Sequence, residues 1–320
     1  MRIAFAASRR DLQTFRDLNG VSMRSITRTP PRVVLLFLLP GLIGFAVFLA
    51  FPLVMAIGMS FTNYSGGPRF RFVGLLNYLR AFSNPDFINS LAVTGRFTLW
   101  TVAAQLFLGL AFALLLNKSF HGRDLFRGIF FLPNVLSSIA VGLAFMLLLN
   151  PQRGPVNQAL AAMGVKPPLW LASRSTALAT VIMVAVWQSF GYYMVLFLGG
   201  LQSIDAALYE AASIDGAGPV RKFLNVTLPG LTPVTFFAFT IAVINAFKVF
   251  DQVYMMTGGQ LGGGPAGATD VLVFDIYVNA FTNLRFGYAS AESVVLLAIV
   301  LTVTIAQNRG QRKWVSYDVI

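Results

Sequence analysis

The chain has no cysteine and a single histidine. Without thiols there is no disulfide, no thiolate zinc site and no cysteine nucleophile. His121 alone, in a short polar loop, builds neither a catalytic relay nor a multi-histidine metal centre. Charge is scarce as well: 11% of residues are Asp, Glu, Lys or Arg, against about 25% in an ordinary soluble protein. The 12 acidic residues form no pair with the context of a glycosidase site, and no Ser sits in a nucleophile–base constellation. No G-x-x-x-x-G-K followed by Ser or Thr occurs, so the chain carries no Walker-type ATP site. Gly262-Gly-Gly-Pro-Ala-Gly267 satisfies G-x-G-x-x-G in form, but it follows no strand and contains a proline, which argues against a dinucleotide site. The expectation is a protein that is not an enzyme and holds no metal or cofactor of its own.

What is present is apolar side chain, 56% of 320 residues. A soluble core cannot use that much; membrane spans can, because lipid solvates the outside of each helix and the backbone is satisfied within it. The expected fold is all-α, one polytopic domain with six transmembrane helices. Stretches able to cross about 30 Å of hydrocarbon run from Val33 to Phe61, Leu91 to Asn117, Ile129 to Leu149, Thr176 to Gly199, Thr232 to Met256 and Tyr288 to Ala306. A basic tail, residues 1–32, precedes the membrane domain of residues 33–306, and a short tail, 307–320, follows it. No repeat of a solenoid period is visible. Pro40, Pro52 and Pro133 lie in spans, where neighbouring helices re-satisfy the freed carbonyls; they read as kinks.

The net charge of +12 does not indicate nucleic acid, because the cations are sorted by side. Fifteen Lys and Arg fall in the two tails, the loop from Lys118 to Arg127 and the loop of residues 203–231; seven fall in the three other loops. Positive residues favour the cytoplasm, so both termini are expected inside. The first apolar run is too long and too late for a cleavable signal peptide. The tail before it reads either as a helix from Asp11 to Leu18, resting on anionic lipid through Arg9, Arg10 and Arg16, or as disordered chain. The outer loops, Thr62 to Ser90, Asn150 to Ser175 and Thr257 to Gly287, are long, the kind that serve as docking surface or stay disordered.

The loop of residues 203–231 is the polar island of the chain. Ser203 is the expected N-cap of a helix with Asp205 in its first turn. That helix should pass Glu210 and Ala212 and stop at Gly216, the residue type that takes a left-handed C-cap. Pro219 fits the first turn of a second short helix ending near Leu228, before Pro229. Glu210-Ala-Ala212, three residues, Gly216, nine residues, Val226, one residue and Leu228-Pro229 resemble the cytoplasmic loop of ABC importer membrane subunits, with Val226 in place of the commoner Ile. Ser60-Phe-Thr-Asn63, Phe72-Val-Gly-Leu-Leu-Asn-Tyr78, Phe250-Asp-Gln-Val-Tyr-Met-Met-Thr-Gly-Gly259 followed by Gly-Gly-Gly-Pro265, and Phe286-Gly-Tyr-Ala-Ser290 resemble the sugar-type (maltose-type) branch. The likeness covers nearly all the chain from Pro40 onward.

This resemblance implies the type I importer permease fold and a non-catalytic translocation subunit for a di- or oligosaccharide. It implies a second homologous permease, two copies of an ABC ATPase that bind ATP and Mg, and an extracytoplasmic solute-binding protein. By the same resemblance Glu210, Ala211, Ala212, Asp215, Gly216, Leu228 and Pro229 couple to the ATPase. Polar groups inside spans complete the reading. Ionisable side chains there cost about 2.5–3.5 kcal/mol unless they face protein or a wet cavity. Lys248 and Asp251, three apart on the fifth span, are expected on one face and close enough to neutralise each other, with Asn245 and Gln252 extending the stripe. On the fourth span Gln188, Ser189 and Tyr192 are expected to cluster with Trp187. These groups are either interhelical hydrogen bonds and a structural ion pair or, by the resemblance, the substrate pathway through Gln188, Tyr192, Asn245, Lys248 and Asp251. Arg96 is expected to snorkel to headgroups. Two rival readings stand: the same architecture carrying glycerol 3-phosphate or its diesters, with Lys248 as counter-charge, and an ion-coupled secondary transporter using Lys248 and Asp251.

Overall fold

The computed structural model describes residues 31–258 and 262–314. The Asp11–Leu18 segment and the turn at Gly259 lie outside the described residues. The chain divides into two compact units, residues 1–55 and 56–320. Among the described residues the structure is helical, and one isolated antiparallel bridge, Thr62 with Phe72, is the only β pairing.

Helix α1, Arg32–Ser60, is apolar throughout and long enough to cross a membrane. It passes Pro40 and then widens into a π turn at Ala46–Ala50, just before Pro52. A proline ring collides with the carbonyl four residues earlier; here that carbonyl belongs to Phe48, inside the widened turn. The same device recurs at Pro229. Helix α2, Leu76–Ser83, lies in the first outer loop. Helix α3, Pro85–Asn117, starts at an Asn84 cap whose side chain accepts from the Asp86 N–H at 3.1 Å. At 1.5 Å per residue its 33 residues reach about 50 Å, so its first turns project beyond the hydrocarbon. Arg96 therefore sits towards the N-terminal end of the helix, exposed, with its Nε donating to Ala92 O.

The third expected span is not one helix. Helices α4, Arg123–Val135, and α5, Ser138–Leu148, meet at 96° across Leu136 and Ser137. Pro133 does more than kink the chain, because the backbone turns extended at Leu136 and leaves its carbonyl outside any helix. Helix α6, Pro155–Ala162, then crosses the second outer loop. Helix α7, Ala177–Ser203, is the buried centre of the bundle: 61% of its apolar window is inside. It packs on α3 and α4 where glycine allows close approach. A Cβ on Gly191 would lie 1.9 Å from Phe130 O, and one on Gly109 would lie 2.8 Å from Tyr193 Cβ. Phe97, Val181, Val184, Met194, Phe197 and Ala242 form the core around this contact.

Helix α8, Ala206–Ile214, and helix α9, Pro219–Gly230, make up the polar island. Helix α10, Thr232–Phe247, follows at 62° to α9. The expected fifth span therefore ends nine residues early. After a non-helical Phe250 the chain re-forms as helix α11, Asp251–Val253, with a π turn at Tyr254–Gly258. The third outer loop contains helix α12, Leu272–Thr282, which is too short for a span. Leu272 is fully buried with Phe87 and Ala81, and its N–H donates to Thr94 Oγ1 at 2.8 Å. Helix α13, Phe286–Trp314, closes the bundle. Among the described residues four helices are long and apolar enough to cross a membrane, or up to six spans if each bent pair counts as one.

Candidate functional site

Two regions bring the expected residues together. The first is the island. Helix α8 is capped by Asp205, not Ser203: Asp205 Oδ1 accepts from the Ala207 N–H at 2.9 Å, while Ser203 ends α7 and donates to Gly200 O. A carboxylate at the cap also favours the helix N-terminus electrostatically. Gly216 takes φ +72°, and the Ala217 N–H returns to Ala212 O at 2.9 Å while its own goes to Ser213 O at 3.1 Å. Both closing bonds of a glycine C-cap are thus made. Helix α9 does not stop before Pro229. A π turn at Phe223–Thr227 takes up the proline, and Leu228 and Pro229 stay helical. Lys222 Nζ donates to Ser213 Oγ at 2.6 Å and Tyr209 OH meets Thr227 Oγ1 at 2.9 Å, so the two helices are clasped at both ends.

The inner face of α8, Leu208, Tyr209 and Ala212, packs on the core. Glu210, Ala211, Asp215, Gly216 and Leu228 are exposed, and Pro229 is half-buried. Ile214 and Val220 leave 88% and 70% of their surface bare at the tip. Apolar residues bared together on a rigid polar loop mark a contact surface; neither was singled out in the sequence.

The second region is a pair of adjoining polar cavities of about 120 and 240 Å³. Asn134, Ser189, Asn245 and Gln252 line both. Tyr192 faces the smaller; Gln188, Lys248 and Asp251 face the larger. Asn134 and Ser138 come from the two sides of the break between α4 and α5, and the sequence reading missed them because they sat inside a stretch taken for one continuous span. The only local signal was Asn134 beside Pro133.

Gln188 makes the interhelical hydrogen bonds that were one of its two expected roles. Its Nε2 donates to Leu136 O at 2.9 Å, satisfying the carbonyl orphaned by the break, and its Oε1 accepts from Gln252 Nε2 at 2.5 Å. Buried amides need such partners, and here they pin the break to α11. Lys248 and Asp251 depart from expectation. Lys248 is the C-cap of α10 and Phe250 is non-helical, so three-residue spacing no longer means one face. Among the described residues the two form no ion pair, and both are exposed at the cavity. Trp187 turns away from Ser189 and Tyr192, and meets Phe145 edge-on at 5.2 Å. Aromatic surface comes from elsewhere: Phe250 at the cavity wall stacks on Tyr254 at 5.3 Å and lies tilted against Tyr277 at 5.1 Å, and Tyr277 reaches Phe281 at 5.2 Å.

Glu292 is another residue the sequence reading passed over. It is fully buried, and Asn279 Nδ2 donates to Asp275 Oδ1 at 3.1 Å and to Glu292 Oε1 at 3.1 Å, fastening α12 to α13. In the outer loop nearby, burial and then the negative charges of Asp275 and Asp86 push the Asp270 carboxyl up to about 7.

Comparison with known proteins agrees with this architecture. Residues 105–315 match the family model for the binding-protein-dependent transport system inner membrane component. The chain is 36% identical to a probable ABC transporter permease protein of Bacillus subtilis (YurN), over 86% of this chain and 94% of that one. It is 37% identical to the trehalose/maltose transport system permease protein MalF of Thermococcus litoralis, over 84% and 90%. It is 32% identical to the sn-glycerol-3-phosphate transport system permease protein UgpA of Agrobacterium fabrum, over 90% and 98%. Its fold matches a chain of a bacterial ABC transporter involved in import of the acidic polysaccharide alginate, with TM-score 0.79 and 21% identity, covering 95% of this chain and all of the other. A helical bundle with a broken third span, a clasped polar island and polar cavities among its helices, matched along most of its length by such relatives, belongs to the binding-protein-dependent inner membrane component family: the chain is a membrane-embedded ABC importer permease subunit.

Proposed function

We propose that this permease subunit passes a di- or oligosaccharide, delivered by an extracytoplasmic binding protein, along the polar cavities between α4, α5, α7 and α10. It works with a second homologous permease and two copies of an ABC ATPase, which bind ATP and Mg; both termini face the cytoplasm. The observation that carries the reading is the pairing of hydrogen-bond groups with aromatic faces at one cavity. Asn134, Ser189, Tyr192 and Asn245 offer donors and acceptors to hydroxyls, and Phe250 starts an aromatic stack of the kind on which sugar rings lie. Several relatives are named for sugars, among them MalF and the arabinooligosaccharide permease AraP of Bacillus subtilis.

On the cytoplasmic side, α8 with its Gly216 turn is the coupling element. Glu210, Ala211, Ala212, Asp215 and Gly216, with Leu228 and Pro229 behind them, seat in the ATPase and carry its closure to α7 and α10. The clasp between α8 and α9 makes the loop move as one body.

A second cargo keeps a foothold. Lys248 has no carboxylate within ion-pair distance among the described residues, so a phosphate could take that place, and the UgpA relatives are named for glycerol 3-phosphate. The test is ATP hydrolysis by the complex that co-purifies with the tagged chain, reconstituted with its binding protein and challenged with disaccharides, oligosaccharides and glycerol phosphates. Stimulation by one class names the cargo. Failure to recover any ATPase, or a Glu210→Lys variant with wild-type assembly and uptake, would overturn the coupling role.

A further inference from the structure

A second polar pocket, of about 490 Å³, lies outside the spans, where the first outer loop and α2 meet the start of α13. Arg80, Arg285, Asn63, Asn77, Asn84 and Tyr288 line it. It shares no residue with the cavities between α4, α5, α7 and α10. Its frame is fixed. The buried Asn77 amide donates to Ser60 O and Thr62 O, each at 2.8 Å, Asn84 Nδ2 donates to Tyr288 OH at 3.3 Å, and the Gly287 N–H reaches Tyr64 O at 2.9 Å. Gly287 permits this closure, since a Cβ there would lie 2.0 Å from Thr62 O. Onto this frame converge two guanidiniums, Arg80 and Arg285, with no ion-pair partner among the described residues.

Two free guanidiniums over a ring of amides form a receptor for carboxylate, because the planar fork matches the two carboxylate oxygens. Exposed single arginines hold a small anion weakly in water; a carboxylate presented by a docking protein surface arrives already ordered, and arginine beside bare aromatic side chains is the usual make-up of an interface hot spot. Phe72, in the same loop, is 78% exposed. We propose that this pocket is the docking point for acidic side chains of the extracytoplasmic binding protein, and that Arg80 and Arg285 read them. This rests on the orientation and on the binding-protein partner proposed above.

The complex is reconstituted in nanodiscs and its ATPase rate is followed against concentration of the binding protein that stimulates it. With Arg80→Glu and Arg285→Glu together, the half-saturating concentration should rise about tenfold, with maximal rate and subunit recovery unchanged. Higher ionic strength should weaken docking to the unmodified complex and, by screening the new like-charge contact, strengthen docking to the charge-reversed variant. The paired Arg80→Gln and Arg285→Gln change should give a smaller shift in the same direction. An unchanged half-saturating concentration at both ionic strengths would overturn the proposal, as would an effect that vanishes in purely zwitterionic lipid, which would assign the arginines to headgroups. Because the chain has no cysteine, Ser65→Cys places one thiol at the pocket; the binding protein should protect it from alkylation, and absence of protection counts against the docking point. If no binding protein stimulates even the unmodified complex, the transport reading fails rather than this inference.

Discussion

The polar island and the polar cavities among the helices are built on opposite principles. In the island every closing bond is local: Asp205 to Ala207, Ala217 to Ala212, Lys222 to Ser213. Its shape follows from caps, a glycine and two prolines within 26 residues, and its exposed face is left free. The cavities have almost no local signature. They exist because one span breaks at Leu136, another stops at Phe247, and Gln188 from a third helix ties the first break to Gln252 on α11. A part that must present a fixed surface to a partner can be specified by short-range rules. The cavities are made from interrupted helices whose backbone groups are satisfied from afar.

Four changes test that contrast, the largest expected effect first. Gly191→Val forces a side chain to within 1.9 Å of Phe130 O; overpacking costs about 1–3 kcal/mol and more against backbone, so size-exclusion profiles after heating should show the whole bundle lost at lower temperature. Gln188→Leu strips the Leu136 carbonyl and the Gln252 amide of their partners, about 1–3 kcal/mol for a buried polar group left unpaired. It should lower the unfolding temperature and change transport; an unaltered temperature would mean the break is held by something else. Gly216→Val meets a left-handed backbone that costs about 1–2 kcal/mol for a residue with a Cβ. Here the bundle should melt as before, while recovery of the ATPase with the tagged chain falls. Equal loss in both measurements would erase the distinction between the regions.

The smallest effect concerns Asp270. Its carboxyl is held protonated more readily in the folded outer loop than in the unfolded chain. The loop is therefore relatively most stable below the unfolded carboxylate range, and that advantage is lost as pH rises from about 4 to about 7. Hydrogen exchange of the 262–271 backbone should quicken across that window, and Asp270→Asn should flatten the dependence and slow exchange at high pH.

The comparison also explains what could be read in advance. Composition and apolar length marked the membrane bundle, because lipid imposes one rule on every spanning segment. The Gly216 turn was legible because only glycine takes that backbone without strain. Where reading erred, the rule invoked was local and the deciding contact was not. Three-residue spacing put Lys248 beside Asp251 only while a helix was assumed between them. Ser203 looked like a cap until α7 was seen to use it as its last residue. Glu292 was invisible as a structural residue, since nothing near it in sequence announces Asn279 or Asp275.

By itself, then, the sequence determined a membrane-spanning helical chain with its cations unevenly spread between alternate loops, a capped polar turn and the family motifs along it. Tertiary structure alone decided where helices break, which polar side chains are consumed in holding the breaks, and which remain free to meet a solute. Caps, turns and hydrophobic length are properties of neighbours along the chain. Breaks are not, because a helix can end in a membrane only where another part of the protein takes up the backbone groups it releases.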